Sequence, residues 1–313
     1  MQKKKWVLII AYFFVAISMQ PLSSNLNDIM NDFNENVSAK GTFVWNGVVD
    51  LDNDYIIASN DILTIEACTE LNLDQNVRLI VEGRLIVEGT SSCPVIMNNQ
   101  GSGDHEGISF QSISNNKASE INNLTIKNSD YGITIFSSNP TFNNINIENA
   151  DKVGIDIYDG ATPTFENINI EQGGQDEHGG FNTNWRYGIG ISVGNFSAPI
   201  FDNVHINGTL TRGFNFWGNS GGLFSNIQIS NITGSTLAAA TCVWIMDAIP
   251  YFENLNLSRC DNGVWVRQYD DSIQTNAVIR NSVIEDSRFY GVIVDKADRS
   301  NYSNYVMATF EGL

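Results

Sequence analysis

Four side chains of this sequence have the chemistry of a carbohydrate-binding surface. Trp244 and Trp265 each stand between two apolar β-formers, while Trp217 and Arg267 follow similar apolar stretches. Tryptophan rings stack on the apolar faces of sugar rings, and an arginine adds directional hydrogen bonds. This combination predicts a sugar-binding surface if the fold brings the four residues to one face. The alternative is that the rings only stiffen stacked strands or lie buried under a loop.

A second group of candidate residues lies in the stretch that precedes Gly188. This stretch is the longest interruption of the repeats described below, and we expect it to form a turn beside the same surface. We also expect Asp156 to belong to that surface. The candidate residues within the stretch are His178, Trp185, Arg186 and Tyr187.

A sequence repeat with two halves predicts the β-strands that position these side chains. One half reads Phe-x-Asn-apolar-x-apolar, as at residues 142–147, and the other reads Gly-apolar-x-apolar, as at residues 154–157. Alternating apolar residues that return every twenty-odd residues are typical of a solenoid built from β-strands. The anchors of the first half are Ile121, Phe142, Phe165, Phe201, Phe224, Phe252 and Ile279.

Each copy of the first half carries an Asn at the same place. Asn is the non-glycine residue that best tolerates left-handed backbone angles, and its amide can bond to the Asn of the next coil. The pattern therefore predicts an all-β fold, a right-handed parallel β-helix over residues 41–313 with stacked coils and an Asn ladder. The asparagines are Asn123, Asn144, Asn167, Asn203, Asn226, Asn254 and Asn281.

The segment 63–96, followed by residues 107–110, resembles the opening coils of exported right-handed parallel β-helix proteins. This pectin-lyase-like architecture is shared by pectate lyases, polygalacturonases and many surface proteins. The resemblance covers residues 41–313 and implies the fold, but it implies no activity. It also implies that a substrate groove would follow the sheet of the Gly half. The outward positions of that sheet in successive coils are Thr134, Asp156, Ser192, Asn215, Trp244, Trp265 and Ile293.

These outward positions argue against catalysis. A glycoside hydrolase needs two carboxylates at a set separation, and the predicted groove contains only Asp156. At residues 188–190 Ile189 replaces the histidine of the polygalacturonase Gly-His-Gly segment, and residues 243–247 lack the histidine of a similar pectate lyase stretch. The leading hypothesis is therefore a non-catalytic carbohydrate-binding or adhesive protein. The alternatives are a diverged polysaccharide lyase or glycoside hydrolase, and a structural spacer of a larger surface protein.

The sequence predicts no cofactor and no metal site. None of its three histidines stands at metal-ligand spacing from another histidine. Calcium binds loop carboxylates, so Asp156 with Asp159, or Asp270 with Asp271, would be the alternative.

The four cysteines predict two disulfides. An even number in an exported chain favours disulfide bonds over a metal site. The spacings of 25 and 18 residues are each close to one solenoid turn, which favours the pairs Cys68–Cys93 and Cys242–Cys260.

The N-terminal residues predict a secreted or extracellular surface protein. Lysines at positions 3–5 and an apolar run from Trp6 to Ile17 indicate a signal peptide over residues 1–18, with residues 19–40 as an acidic flexible linker. The apolar run is shorter than the ~20 residues of a membrane span. The net charge of −18 repels nucleic acid, so the expected partner is a polysaccharide or cell-surface glycan.

Overall fold

The computed structural model describes residues 41–112, 118–172, 188–232, 240–270, 272–296 and 307–312. The predicted signal peptide and linker, residues 1–40, lie outside these ranges. The described residues belong to one compact unit, Gly41–Leu313. Over this part of the chain we find no helix with the length and apolar character that a bilayer crossing requires.

The described residues form 23 β-strands. In chain order they are β1 Thr42–Trp45, β2 Val48–Leu51, β3 Tyr55–Ile57, β4 Ile62–Glu66, β5 Glu70–Leu73, β6 Leu79–Val81, β7 Arg84–Glu88, β8 Val95–Asn99, β9 Ile108–Phe110, β10 Glu120–Phe136, β11 Thr141–Tyr158, β12 Thr164–Glu171, β13 Ile189–Val193, β14 Ile200–Asn207, β15 Arg212–Phe216, β16 Leu223–Ile232, β17 Thr241–Met246, β18 Tyr251–Cys260, β19 Asn262–Gln268, β20 Asn276–Arg280, β21 Val283–Glu285, β22 Tyr290–Lys296 and β23 Met307–Glu311.

The strands stack in parallel into three sheets that the chain visits in turn, for about nine turns. The long strands β10 and β11 bend through all three sheets. The prediction of an all-β parallel solenoid is confirmed. Sheet A runs β1–β4–β7–β10–β11–β12–β14–β16–β18–β20–β23, sheet B runs β2–β5–β8–β10–β11–β12–β14–β16–β18–β21, and sheet C runs β3–β6–β9–β10–β11–β13–β15–β17–β19–β22.

A row of phenylalanines forms the centre of the core. Phe142, Phe165, Phe201, Phe224 and Phe252 align across sheet A and are at most 1% exposed. The ring centroids of Phe142 and Phe165 lie 4.5 Å apart, and those of Phe165 and Phe201 lie 4.3 Å apart. Because neighbouring strands lie ~4.8 Å apart, identical side chains at one register position must stack ring on ring. The predicted assignment of these residues to the core is confirmed.

The predicted asparagines form the corner between sheet A and sheet B. All seven have positive φ angles, between 49° and 58°. Asn203 Nδ2 donates to Asn167 Oδ1 over 2.6 Å, and Asn254 Nδ2 donates to Asn226 Oδ1 over 3.1 Å. Asn226 Nδ2 instead donates over 2.8 Å to Oδ1 of Asp202, the residue that precedes the ladder residue Asn203. The Asn ladder is therefore confirmed, with partners that differ between coils.

A second corner lies five residues after each of these asparagines, where sheet B turns into sheet C. Its residues also have positive φ angles, between 52° and 84°. Asn149 Nδ2 donates to Asn128 Oδ1 over 3.2 Å. The asparagine pattern of this corner is incomplete, so the sequence did not reveal it. The seven residues are Asn128, Asn149, Gln172, Gly208, Asn231, Arg259 and Asp286.

Glycines lie near the start of most strands of sheet C because adjacent coils approach closely there. A Cβ atom added to Gly132, Gly154, Gly190 or Gly213 would lie 2.5–2.8 Å from the carbonyl oxygen of the equivalent residue in the next coil. A side chain at these positions would push the coils apart. The Gly half of the repeat is therefore a steric requirement of the stacked coils.

Two disulfides connect successive turns. Cys68 pairs with Cys93 and Cys242 pairs with Cys260, with Cα atoms 4.9 Å and 5.8 Å apart. Both predicted pairs are confirmed. Each bond closes a loop of about one turn and restricts the unfolded chain.

Candidate functional site

The candidate site is a row of side chains on the outer side of sheet C, one from each coil. From Thr134 to Trp265, the residues on either side of each position in the strand are buried in the core, so these side chains point outward. Trp244 and Trp265 are directly paired neighbours in adjacent strands, as predicted. The row is named the sheet C stripe and comprises Thr134, Asp156, Ser192, Asn215, Trp244, Trp265 and Ile293.

The middle of the sheet C stripe is buried. Asp156 and Asn215 are each 4% exposed, Ser192 is 0% exposed and Trp244 is 7% exposed, whereas Trp265 is half-buried. Of the two possibilities that the sequence left open for the tryptophan rings, exposure or burial, burial therefore holds for Trp244. The reason is local, because the neighbouring side chains described next cover its ring.

Arg212, Trp244 and Trp265 form a continuous row of contacts, named the stack, in which the two indole rings are inclined to each other by 52°. The guanidinium carbon of Arg212 lies 4.5 Å from the ring centroid of Trp244, and the two tryptophan centroids lie 4.7 Å apart. Arg212 Nη1 also donates to Asn215 Oδ1 over 2.7 Å. Desolvation by burial lowers the pKa of Arg212 to about 10, so its guanidinium stays charged at neutral pH. The stack therefore combines a fixed cation with two aromatic rings.

Asp295 and Arg267 fix the ring of Trp265 at the other end of the stack. Trp265 Nε1 donates to Asp295 Oδ1 over 3.0 Å. Arg267 Nε lies 3.4 Å from the same oxygen, and its guanidinium carbon lies 5.8 Å from the centroid of the Trp265 ring. The ring is thus held in one orientation while part of it stays accessible to solvent.

Two buried donors of the sheet C stripe have no hydrogen-bond partner among the residues that the structure describes. They are the hydroxyl oxygen of Ser192 and Nε1 of Trp244. A buried polar group without a partner costs about 1–3 kcal/mol, so such groups are uncommon in native proteins. Both atoms can donate to the oxygens of a hydroxyl-rich ligand.

Trp217 borders the sheet C stripe on the side where its strands end. Its half-buried indole lies over the backbone of Gly194, where an added Cβ would meet Trp217 Nε1 at 2.5 Å. Gly194 therefore leaves the space that the indole occupies. Trp217, Trp244, Trp265 and Arg267 thus come from three adjacent coils, whereas Asp156 lies three strands away from Trp244 along the stripe. The remaining predicted site residues, His178, Trp185, Arg186 and Tyr187, lie outside the described residues.

Among the described positions of the sheet C stripe, Asp156 carries the only carboxylate. Acid and base catalysis of glycoside cleavage requires two carboxyl groups on opposite sides of the scissile bond. The described stripe therefore offers surfaces and hydrogen-bond donors for a sugar, and it lacks the carboxylate pair of a hydrolase.

A group of three carboxylates lies at the corner between sheet B and sheet C. Oxygens of Asp104, Asp130 and Asp151 lie within 4.8 Å of one another. Lys152 Nζ lies 2.6 Å from Asp130 Oδ2 and already supplies a positive charge there. The sequence signal was an acidic residue two or three positions before a glycine, repeated in three coils. This group is separate from the carboxylates considered for calcium, of which Asp271 lies outside the described residues.

Comparison with known proteins gives similarity to solved structures alone. No protein-family model matches this chain, and no curated protein matches it. A similar solved structure is the catalytic domain of a GH87 alpha-1,3-glucanase in complex with tetrasaccharides, at 14% sequence identity and a TM-score of 0.30. The similarity covers 90% of this chain and 55% of that one, so this chain spans about half the length of that structure. A similarity at this level defines no activity for this chain.

Proposed function

We propose that this chain is a secreted, non-catalytic β-helix that binds a polysaccharide along sheet C. The observation that carries the proposal is the stack of Arg212, Trp244 and Trp265, with Arg267 at its end. The stacked residues come from successive coils, so the stack runs along the solenoid axis. An extended polysaccharide lying along that axis would meet several coils at once.

The contacts divide the site into an accessible part and a supporting part. Trp265 and Trp217 are half-buried and offer ring surface to a sugar. Trp244 and Arg212 continue the stack in the two preceding coils and hold Trp265 in place. Ser192 Oγ and Trp244 Nε1, the donors without a described partner, lie buried beneath this surface, so a sugar would reach them only by displacing the side chains that cover them.

Two further observations support the proposal. The single carboxylate among the described stripe positions favours binding over hydrolysis. The two disulfides suit an oxidising compartment, and the N-terminal residues have the order of a signal peptide. A secreted protein meets polysaccharides at the cell surface or in the surrounding medium.

Affinity electrophoresis through gels that contain a panel of neutral and acidic polysaccharides tests the proposal. We expect at least one polysaccharide to retard the wild-type protein. Trp265→Ala should weaken that retention at least about tenfold, because aromatic anchors dominate such interfaces. Trp244→Phe keeps an aromatic ring in the stack but removes the Nε1 donor and part of the indole surface, so it should weaken retention by about three- to tenfold.

Phe289→Ala serves as the matched control, because Phe289 is a 53% exposed aromatic residue outside the sheet C stripe. It should leave retention unchanged. Thermal unfolding of each variant separates a loss of binding from a loss of fold. Equal retention of the wild type and Trp265→Ala would contradict the proposed site.

A further inference from the structure

The outer side of sheet A changes character along the solenoid. The position three residues before each Asn corner is threonine in two central coils, apolar or aromatic in the next four coils, and the row ends at a threonine. Ile200 is 46% exposed and Leu223 is 55% exposed, and the two are directly paired. The aligned residues are Thr141, Thr164, Ile200, Leu223, Tyr251, Val278 and Thr309.

Ile249 extends this apolar surface. It is 48% exposed and stands two residues before Tyr251. Its Cγ1 atom would lie 3.3 Å from a Cβ added to Gly221, which itself stands two residues before Leu223. Ile249 therefore covers Gly221 and continues the surface beside Leu223. The group of Ile200, Leu223 and Ile249 is named the sheet A patch.

A row of carboxylates borders the sheet A patch two residues further along each strand. Glu166, Asp202 and Glu253 belong to one register position, with Ser225 between the last two. The next member, Arg280, forms an ion pair with Glu311 over 2.8 Å. Acidic side chains thus predominate along this border.

Hydrogen bonds keep two of these carboxylates ionised. Asp202 Oδ1 accepts from Ser225 Oγ over 2.7 Å and from Asn226 Nδ2 over 2.8 Å, and these bonds lower the pKa of Asp202. The hydrogen bond from Asn281, and then that from Tyr251, lower the pKa of Glu253. The border of the sheet A patch therefore remains negative well below neutral pH.

We propose that the sheet A patch binds a segment of another protein that carries apolar and cationic side chains. Exposed apolar side chains that cluster beside charges of one sign are typical of interaction surfaces. The carboxylate border fixes the charge of the partner, because complementary potentials favour encounter and like charges oppose it. A second copy of this chain would oppose equal carboxylates, and an anionic lipid surface would be repelled by the net charge of −18.

A synthetic peptide that alternates leucine and lysine is the probe for this surface. We expect fluorescence anisotropy to show binding that weakens as salt concentration rises. The double variant Ile200→Thr, Leu223→Thr should bind at least about tenfold more weakly, because it removes the apolar contact. Threonine is the natural residue of this row at Thr141 and Thr164, so the variant keeps the fold.

Three controls decide the outcome. Val48→Thr, which changes a 64% exposed valine on sheet B, should bind the peptide like the wild type. The double variant Asp202→Asn, Glu253→Gln should lose most of the salt dependence. A peptide with glutamate in place of lysine should not bind. Equal affinity of the wild type and the Ile200→Thr, Leu223→Thr variant would overturn the proposal, since binding would then reflect net charge alone. Binding of the glutamate peptide, or no binding of the lysine peptide, would overturn it as well.

Discussion

Single residues of this chain recur because particular backbone conformations require them. Both sheet corners need positive φ angles, which cost a residue with a Cβ atom about 1–2 kcal/mol unless it is Asn or Asp. Asparagine occupies the first corner in all seven repeats from Asn123 to Asn281, so that corner was visible in the sequence. The second corner tolerates Gln172 and Arg259 at φ angles of 54° and 53°, so these two residues store strain.

We therefore expect Gln172→Asn to stabilise the protein. The substitution places the residue type of Asn128 and Asn149 at the same corner, with a gain of about 0.5 kcal/mol. Gln228→Asn is the matched control, because the same change on an exposed strand position with ordinary φ should give no gain. Urea denaturation measures both variants. An equal effect of the two substitutions would contradict the role assigned to the second corner.

His105 should make stability depend on pH. The residue is fully buried, its Nδ1 accepts the Gly107 N–H over 2.9 Å, and its Nε2 lies 3.0 Å from the Lys127 carbonyl oxygen. Desolvation by burial lowers the pKa of His105 from 6.5 to about 4. As the pH falls from 6.5 to 4, His105 binds a proton in the unfolded chain but stays neutral in the folded chain. The folded state should therefore lose about 3 kcal/mol over this window.

Urea denaturation at a series of pH values, on the wild type and on His105→Gln, measures this effect. The difference in unfolding free energy between the two proteins should narrow as the pH falls from 6.5 to 4. A constant difference would show that His105 titrates in the folded protein as it does in the unfolded chain.

At the scale of strands and sheets, the sequence predicts those features that depend on the length of the repeat and on the residues at its turns. The sheet register, the Phe142–Phe252 core row and both disulfides follow from residues that recur once per turn. The burial of Trp244 does not follow from the sequence pattern, because it depends on the direction of the Arg212 side chain. An arginine in the sequence does not indicate that its side chain covers an aromatic ring. The sheet A patch was also missed, because an alternating strand with one exposed isoleucine still looks like an ordinary strand.

The phenylalanine row predicts where the strands are most sensitive to change. Phe201 is fully buried and stacks on Phe165, so Phe201→Ala should lower the free energy of unfolding by about 3–5 kcal/mol. Phe196→Ala, at a residue that is 68% exposed, should change it by less than about 0.5 kcal/mol. Chemical denaturation compares the two. A small loss for Phe201→Ala would mean that the row contributes little to the core.

At the scale of the whole molecule, the residues that maintain the fold and the residues proposed to bind partners occupy different positions. The core and both corners are occupied by residues that the solenoid requires, which leaves the outer sides of the sheets for binding. Sheet C carries the stack of Arg212, Trp244 and Trp265, and sheet A carries the apolar patch with its carboxylate border. The two surfaces lie on different sheets, so a variant of one should leave the other unaffected.

Incubation of the wild-type protein with the polysaccharide panel, with and without calcium, tests the central claim most directly. Protein retention and newly released reducing or unsaturated ends are measured on the same samples. We predict retention by at least one polysaccharide, independent of calcium and without release of ends. Release of ends would show that the protein is an enzyme, and absence of retention by every polysaccharide would contradict carbohydrate binding altogether.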